Sequence, residues 1–394
     1  MNKKIEIRYS LSLFLFHCLT AIVYGFGVYC LKERGFSAST SGILLASSSF
    51  FAFIMQALLA DLSDKSKKIN AFGICIFCAL IIFVFSIFNF LLTKAGILLA
   101  IVFIVGTSFY IALEPFINTL NSKFSYCDIN INYPKARSFG SISYAIFCFL
   151  LGILTNTFDY KSVLLFAILA SLFLLIDLTM IKKDFDVVKD NEVRKEKEEK
   201  VSFKQFIKNN KYFTLLMLSL ACIYYGYLAF DNFMILLIEN LGGNSNDLGS
   251  ILGFKAVIEC FGIFFLYPFL SKKIKLNQLL LIAAFAYLLK AILTSISFNI
   301  FGLYLAQFAQ CLSFAIMYPG VVELANRVLK ENEITRGQAL CVMACVFGAF
   351  FSSSTTGIIA DSLGLAAVKY IAITVTLIGV IGYLILLNKV NPNG

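Results

Sequence analysis

Asp231, Lys255, Glu259 and Lys290 stand inside long apolar runs in the second half of this sequence, and Glu114, Asn118 and Arg137 lie in or at the edge of such runs in the first. A charge at the centre of a membrane costs about 2.5–3.5 kcal/mol on insertion scales, so each must face a partner or a polar cavity. Lys255 and Glu259 are spaced i, i+4, which puts both on one helix face. Such a pair either stays neutralised as a structural bridge or frees Glu259 to take a proton when another charge draws Lys255 away. Asp231 and Lys290 are the other deep charges of that half, and with Lys255 and Glu259 they form the candidate proton-coupling set. Glu114 immediately precedes Pro115, whose missing backbone donor bends a helix; the bend either presents the carboxylate to a cavity or is only architectural. Asn118, one turn further on the same face, offers a donor and an acceptor. Arg137 carries a planar fork suited to hydroxyls or a carboxylate, or it snorkels from a helix end. Tyr24 and Gln310 complete the candidate substrate-binding set, with Gln56 and Gln307 as further polar contacts or simple helix packing. Asp64, Lys65 and Arg336 fall in basic turns and are candidate gating residues, while Asp177 and Glu323 suit gating or loop pairing. His17, the single histidine, is expected to be packed or interfacial.

The elements that position these residues follow from composition. Of 394 residues, 59% are hydrophobic and only 14% charged, against roughly a quarter charged in a globular domain. The bilayer is the solvent that accommodates such a chain. Six apolar runs of spanning length precede a charged stretch (9–31, 40–60, 69–92, 95–121, 136–157, 161–181), and six follow it (212–238, 247–270, 277–297, 300–325, 337–360, 365–388). The expected organisation is an N-terminal six-helix bundle (1–181), a cytoplasmic linker (182–211) and a C-terminal six-helix bundle (212–394). Within the linker, Val201–Lys211 has the pattern of a short amphipathic surface helix with Phe203, Phe206 and Ile207 toward lipid. The basic N-terminal segment is too long and apolar for a signal peptide and reads as the first span.

Charge sets the orientation. Of the 33 Lys and Arg, 26 fall in the termini, the linker and the loops on their side. Five, namely Lys32, Arg34, Lys94, Lys161 and Lys369, fall in loops on the opposite side. That bias places both termini and the linker in the cytoplasm, and it accounts for the +10 net charge without nucleic acid. The 11 cysteines lie mostly in apolar runs, where Cys behaves as a small hydrophobe. The Cys75–Cys78 pair sits mid-span without other ligand types, which favours packing over metal or redox chemistry.

The halves also repeat. Gly35 and Gly242 align at the same offset as Gly42 and Gly249; Glu114-Pro115 matches Tyr318-Pro319, Arg137 matches Arg336, and GILTNTFD (152–159) matches GIIADSLG (357–364). Equal topology in both halves implies parallel repeats about an axis along the membrane normal.

SASTSGILLASSSFFAFIMQALLADLSDK (37–65), PFINTL (115–120), YPKARSFGSISYAIFCFLLG (133–152), AFDNFMILLIENLG (229–242) and VIECFGIFFLYPFLSKK (257–273) together carry a resemblance to the major facilitator superfamily. Within it the chain most resembles the lactose permease (oligosaccharide:proton symporter) and nucleoside permease group. The resemblance covers most of the chain. It implies an all-α integral membrane fold of 12 transmembrane helices, arranged as two parallel six-helix repeats. The turn after the second span departs from the superfamily signature in lacking its glycine. In the lactose permease a fourth-span acid partners the fifth-span arginine in sugar binding; here the arginine is Arg137 and the acid position is Asn118. The tenth-span His and Glu of proton coupling fall at Gln310 and Ser313, whereas the deep charges are kept as Asp231, Glu259 and Lys290. These departures count against lactose as the substrate.

The expected function is secondary active transport of a sugar, oligosaccharide or nucleoside by alternating access, as a proton symporter. The expected setting is the plasma (bacterial inner) membrane, with the chain acting as a monomer. No cofactor beyond a proton gradient is expected, and the partners are a small-molecule substrate and the lipid bilayer. No Walker A sequence is present, so nucleotide-driven transport has no support, and an enzymatic role is not expected. Two alternatives stand: a non-transporting sensor or partner subunit on the same fold, and a membrane-embedded transferase. The latter would need a cluster of His, Asp or Glu at a membrane face.

Overall fold

The long apolar runs form helices because lipid offers their backbone groups no alternative partner. The computed structural model describes residues 2–65, 71–125, 129, 131, 133–186, 203–330 and 333–391, and no strand occurs among them. Residues 187–202 of the linker lie outside that set, as do the side chains of Asp64 and Lys65. The chain divides into two compact units. One comprises Met1–Lys195 with Leu248–Gly253, and the other comprises Glu196–Asp247 with Phe254–Gly394.

In the first unit, α1 (Asn2–Thr20) passes through a π-helical turn (Ala21–Gly25) into α2 (Gly27–Glu33). Then come α3 (Ala38–Lys65), α4 (Ala71–Leu91), α5 (Ile97–Ser125), α6 (Tyr133–Phe158) and α7 (Lys161–Asp186). α1 packs on α6 and α7, and α4 packs on α5 and α7.

The second unit opens with the short α8 (Phe203–Asn209) and α9 (Lys211–Asp231), followed by α10 (Met234–Asn240) and α11 (Ser245–Phe261). α11 continues through a π turn (Gly262–Leu266) into α12 (Tyr267–Leu270), and α13 (Leu276–Ile296) follows. α14 (Ile300–Gln307) runs into a 3-10 turn (Phe308–Cys311) and then α15 (Phe314–Val328). The final helical stretch, α16 (Ile334–Val390), is interrupted at Gly364 (φ 81°, ψ 171°) and therefore supplies two spans. By length and composition, eleven described segments are able to cross a membrane; the break at Gly364 brings the number to twelve. Large apolar side chains such as Phe50, Phe173, Phe265 and Ile385 are exposed on these helices, as lipid permits.

The repeat is written in the backbone. Phe26 (φ −111°, ψ 1°) breaks the first span, and Phe233 (φ −110°, ψ 21°) breaks the seventh. Each break is followed by a seven-residue helix closed by a left-handed glycine, Gly35 at φ 97° and Gly242 at φ 78°. The two remaining positive-φ residues among those described, Asp159 and Gly364, are the ends of the paired sequences 152–159 and 357–364. Asn244 and Asp247 form a reciprocal capping box at the start of α11, which satisfies backbone donors that the helix leaves unpaired. α9 seats closely on α16 because small residues line the seam; a Cβ on Gly379 would fall 2.7 Å from the Ser219 carbonyl oxygen.

Two expectations need correction. Phe206 does not face lipid: it is fully buried in the core of the second unit with Phe213, Leu216 and Leu329, whereas Ile207 is exposed and the side chain of Phe203 lies outside the described set. Arg34 is not a solvated loop charge, because the turn after α2 folds its side chain inward to 5% exposure.

Candidate functional site

Each unit holds its own polar cluster. In the second, α9 delivers Asp231, the last residue before the break, and α11 delivers Lys255, whose Nζ donates to Asp231 Oδ2 at 2.6 Å. α13 delivers Lys290, whose Nζ donates to Gln310 Oε1 at 2.6 Å. The same Gln310 donates from Nε2 to Glu259 Oε2 at 2.9 Å and to the Tyr227 hydroxyl at 3.4 Å. Gln310 therefore bridges an ammonium and a carboxylate, one with each end of its amide. It reaches both because the 3-10 turn of the tenth span tightens the backbone there. Irregular backbone at membrane depth is tolerated where it is buried or lines a cavity, and Gln310 is fully buried. The Tyr227 ring lies 4.7 Å from Lys290 Nζ and 5.9 Å from Lys255 Nζ, so its π face adds to the stabilisation of both cations. Asp231 Oδ1 has no hydrogen-bond partner.

The four charges sum to zero, and each hydrogen-bond orientation matches them. Lys255, Lys290 and Gln310 are buried while Asp231 and Glu259 are half-buried, so a proton on Glu259 would leave the set with a net charge of +1 in surroundings that penalise it.

In the first unit, Pro115 sits inside α5, and the helix carries Glu114 with an accessible side chain. One turn later Asn118 Oδ1 accepts from the Tyr133 hydroxyl at 3.3 Å. Arg137 lies in the first two turns of α6, four residues after Tyr133. Gly140 gives it room: a Cβ there would lie 3.1 Å from Arg137 Nη1 and 2.8 Å from His17 Nδ1. His17 is buried and donates from Nδ1 to the Leu13 carbonyl at 2.9 Å, a packed residue. Tyr24 lies in the π turn of the first span, edge-on to Tyr110 at 6.2 Å, and Tyr110 donates to Thr20 Oγ1 at 2.6 Å.

The sequence-derived candidates thus separate. Asn118, Arg137, Glu114 and Tyr24 belong to the first unit, whereas Gln310 joins Glu259, Asp231, Lys255 and Lys290 in the second. Lys255 is drawn to Asp231 on another helix, and Glu259 takes the Gln310 amide. Arg336 lies in the first turn of α16. Asp177 accepts from Ser12 at 2.7 Å and lies 3.7 Å from Arg8, while Glu323 pairs with Arg327 and accepts from Tyr267; both are local fastenings between helix ends. Gln56 donates to the Ile111 carbonyl, a packing contact. Tyr227 and Tyr133 were missed, although each had a signal: Tyr227 precedes Asp231 by one turn on the same face, and Tyr133 opens the Arg137 helix. No group of three His, Cys, Asp or Glu able to hold a metal occurs among the described residues, and their cysteines are free.

The profile of the MFS_1 like family matches residues 6–371, and the chain belongs to that family. No curated protein matches the sequence. Among solved structures it is similar to a mutant of the nucleoside transporter NupG at TM-score 0.79 and 14% identity, covering 97% of this chain and 99% of that one. An auto-inhibited POT family peptide transporter aligns at TM-score 0.76 and 8% identity, covering 97% and 96%. A bacterial homologue of the human lysosomal transporter Spinster, inward-facing and occupied, aligns at 0.69 and 13%, covering 98% and 97%. The fold is that of the major facilitator transporters: twelve membrane helices in two six-helix repeats.

Proposed function

We propose that this chain is a secondary active transporter that moves a nucleoside or sugar across the membrane by alternating access, driven by proton symport. The observation that carries the reading is the charge-neutral network of Asp231, Lys255, Glu259, Lys290 and Gln310. Protonation of Glu259 unbalances it, so proton binding favours a different packing of the second unit, and a bound substrate shifts the same equilibrium. The substrate is held chiefly by the first unit. Asn118 and Tyr133 engage hydroxyls, Arg137 and Glu114 orient the solute, and the Tyr24 ring offers an aromatic face. A nucleoside uses every part of that set, with its base against an aromatic ring and its ribose on the polar groups; the likeness to a nucleoside transporter supports this choice over a free sugar. The proposed setting is a bacterial inner membrane with both termini cytoplasmic, as the charge bias of the loops suggests, and a monomer as the working unit.

Uptake by proteoliposomes, measured for a panel of nucleosides and sugars with and without an inward proton gradient, tests the reading. Accumulation of a nucleoside only under the gradient is expected. Accumulation of a sugar instead would transfer the proposal to that class. Equal uptake without the gradient would remove proton coupling, and no uptake of any solute by folded protein would favour a sensor.

A further inference from the structure

The first unit also contains a partly open cavity of about 60 Å³ whose walls include Arg34, Asn89, Ser86, Thr107, Phe85 and Phe103. Arg34 is the unusual member. It is buried, and its Nε donates to the Cys30 carbonyl at 2.8 Å, while Nη1 donates to Asn89 Oδ1 at 2.6 Å and to the Asn89 carbonyl at 3.1 Å. Nη2 makes no hydrogen bond among the described residues, and no carboxylate lies within ion-pair distance of the guanidinium. The Tyr160 ring lies 5.8 Å from the guanidinium carbon, so every partner of this cation carries only partial charge and none neutralises it.

The second repeat supplies an internal control. Leu241 occupies the position of Arg34, one residue before the left-handed glycine. Its backbone angles (φ −96°, ψ 9°) nearly equal those of Arg34 (φ −91°, ψ 0°). The turn therefore closes equally well with an apolar side chain, and the guanidinium is not there for backbone geometry. Asn89, Ser86 and Thr107 add uncharged donors to the same wall. The room takes a few water-sized groups, since one water needs about 10–15 Å³ of such space.

We propose that this cavity binds a small monovalent anion, of the halide or short-carboxylate class, on the free edge of Arg34. Anion binding here is separate from solute binding, although Tyr110 lines the cavity and also bonds to Thr20 beside Tyr24.

The test uses purified full-length protein in which chloride or formate replaces gluconate at constant ionic strength. A saturable rise in Tm of about 3 °C is expected for both small anions. Arg34→Leu, which installs the residue of the other repeat, should abolish the rise, and Arg34→Lys should retain it with a weaker midpoint. A response that never saturates, or one with an unchanged midpoint in R34L, overturns the proposal. Because R34L could fail to fold, crystals of the unaltered protein in bromide give a second measurement. An anomalous peak within hydrogen-bond distance of Arg34 is expected, and an empty cavity at saturating bromide overturns the site.

Discussion

The two units break their first helices with nearly the same backbone angles at Phe26 and Phe233, yet they surround those breaks with opposite chemistry. At equal offsets from Gly35 and Gly242, Tyr24 stands where the second unit has Asp231, Thr20 where it has Tyr227, and Ser48 and Ala52 where it has Lys255 and Glu259. One copy kept uncharged hydroxyls and aromatic faces beside its break. The other acquired two acids and two bases that neutralise each other through Gln310. The backbone break is thus common to both repeats, and the side chains placed around it are what differ. The same backbone carries two different side-chain chemistries.

Removing one member of the closed ion pair should have the largest effect. Asp231→Asn leaves Lys255 buried without its partner and should cost about 3–5 kcal/mol, seen as a lower unfolding midpoint and lost transport. Tyr24→Phe at the matching position should cost no more than about 1 kcal/mol. Equal tolerance of the two substitutions would break the contrast. The double variant D231N/K255M should recover folding without recovering accumulation.

Glu259→Gln acts on coupling instead of folding. It imitates the protonated state permanently, so counterflow exchange should persist while accumulation under a pH gradient falls more than about tenfold, which corresponds to roughly 1.4 kcal/mol. Retained accumulation would remove Glu259 as the proton carrier. Gly364→Ala probes the backbone alone, since no heavy atom lies within 4 Å of a Cβ built there. Its φ of 81° with ψ of 171° is open essentially to glycine, and the expected loss is about 1–3 kcal/mol in a thermal melt. Arg137→Lys in the first unit should be mildest, raising KM several-fold through loss of the planar fork while leaving stability unchanged. A fall in stability comparable to that of D231N would show that Arg137 is part of a closed network after all.

Much of this was legible beforehand. Twelve spans, the glycine-marked repeat and the Asp231, Lys255, Glu259 and Lys290 set can be read because apolar runs and isolated charges are one-dimensional signals. Gln310 was legible as polar but not as a bridge, since its role depends on a 3-10 turn that no apolar periodicity announces. The i, i+4 spacing of Lys255 and Glu259 pointed to each other as partners, whereas the nearer acid for Lys255 comes from α9. Arg34 looked like a loop charge because its neighbours Lys32, Glu33 and Gly35 read as a turn; the side chain's path back into the bundle leaves no mark in sequence. Phe206 was assigned to lipid for a similar reason, as an apolar stripe on a short helix does not say which surface it covers.

By itself the sequence determined that this is a twelve-span duplicated membrane protein, and that its few buried charges are where function should be sought. Lipid solvates neither an unpaired backbone group nor a lone charge, so few alternatives survive that cost. Only the tertiary structure decided who pairs with whom: Asp231 with Lys255, Glu259 with Lys290 through Gln310, and Arg34 with carbonyls and no acid. Such pairings depend on helix rotation and local unwinding, which residues distant in sequence settle together when they pack.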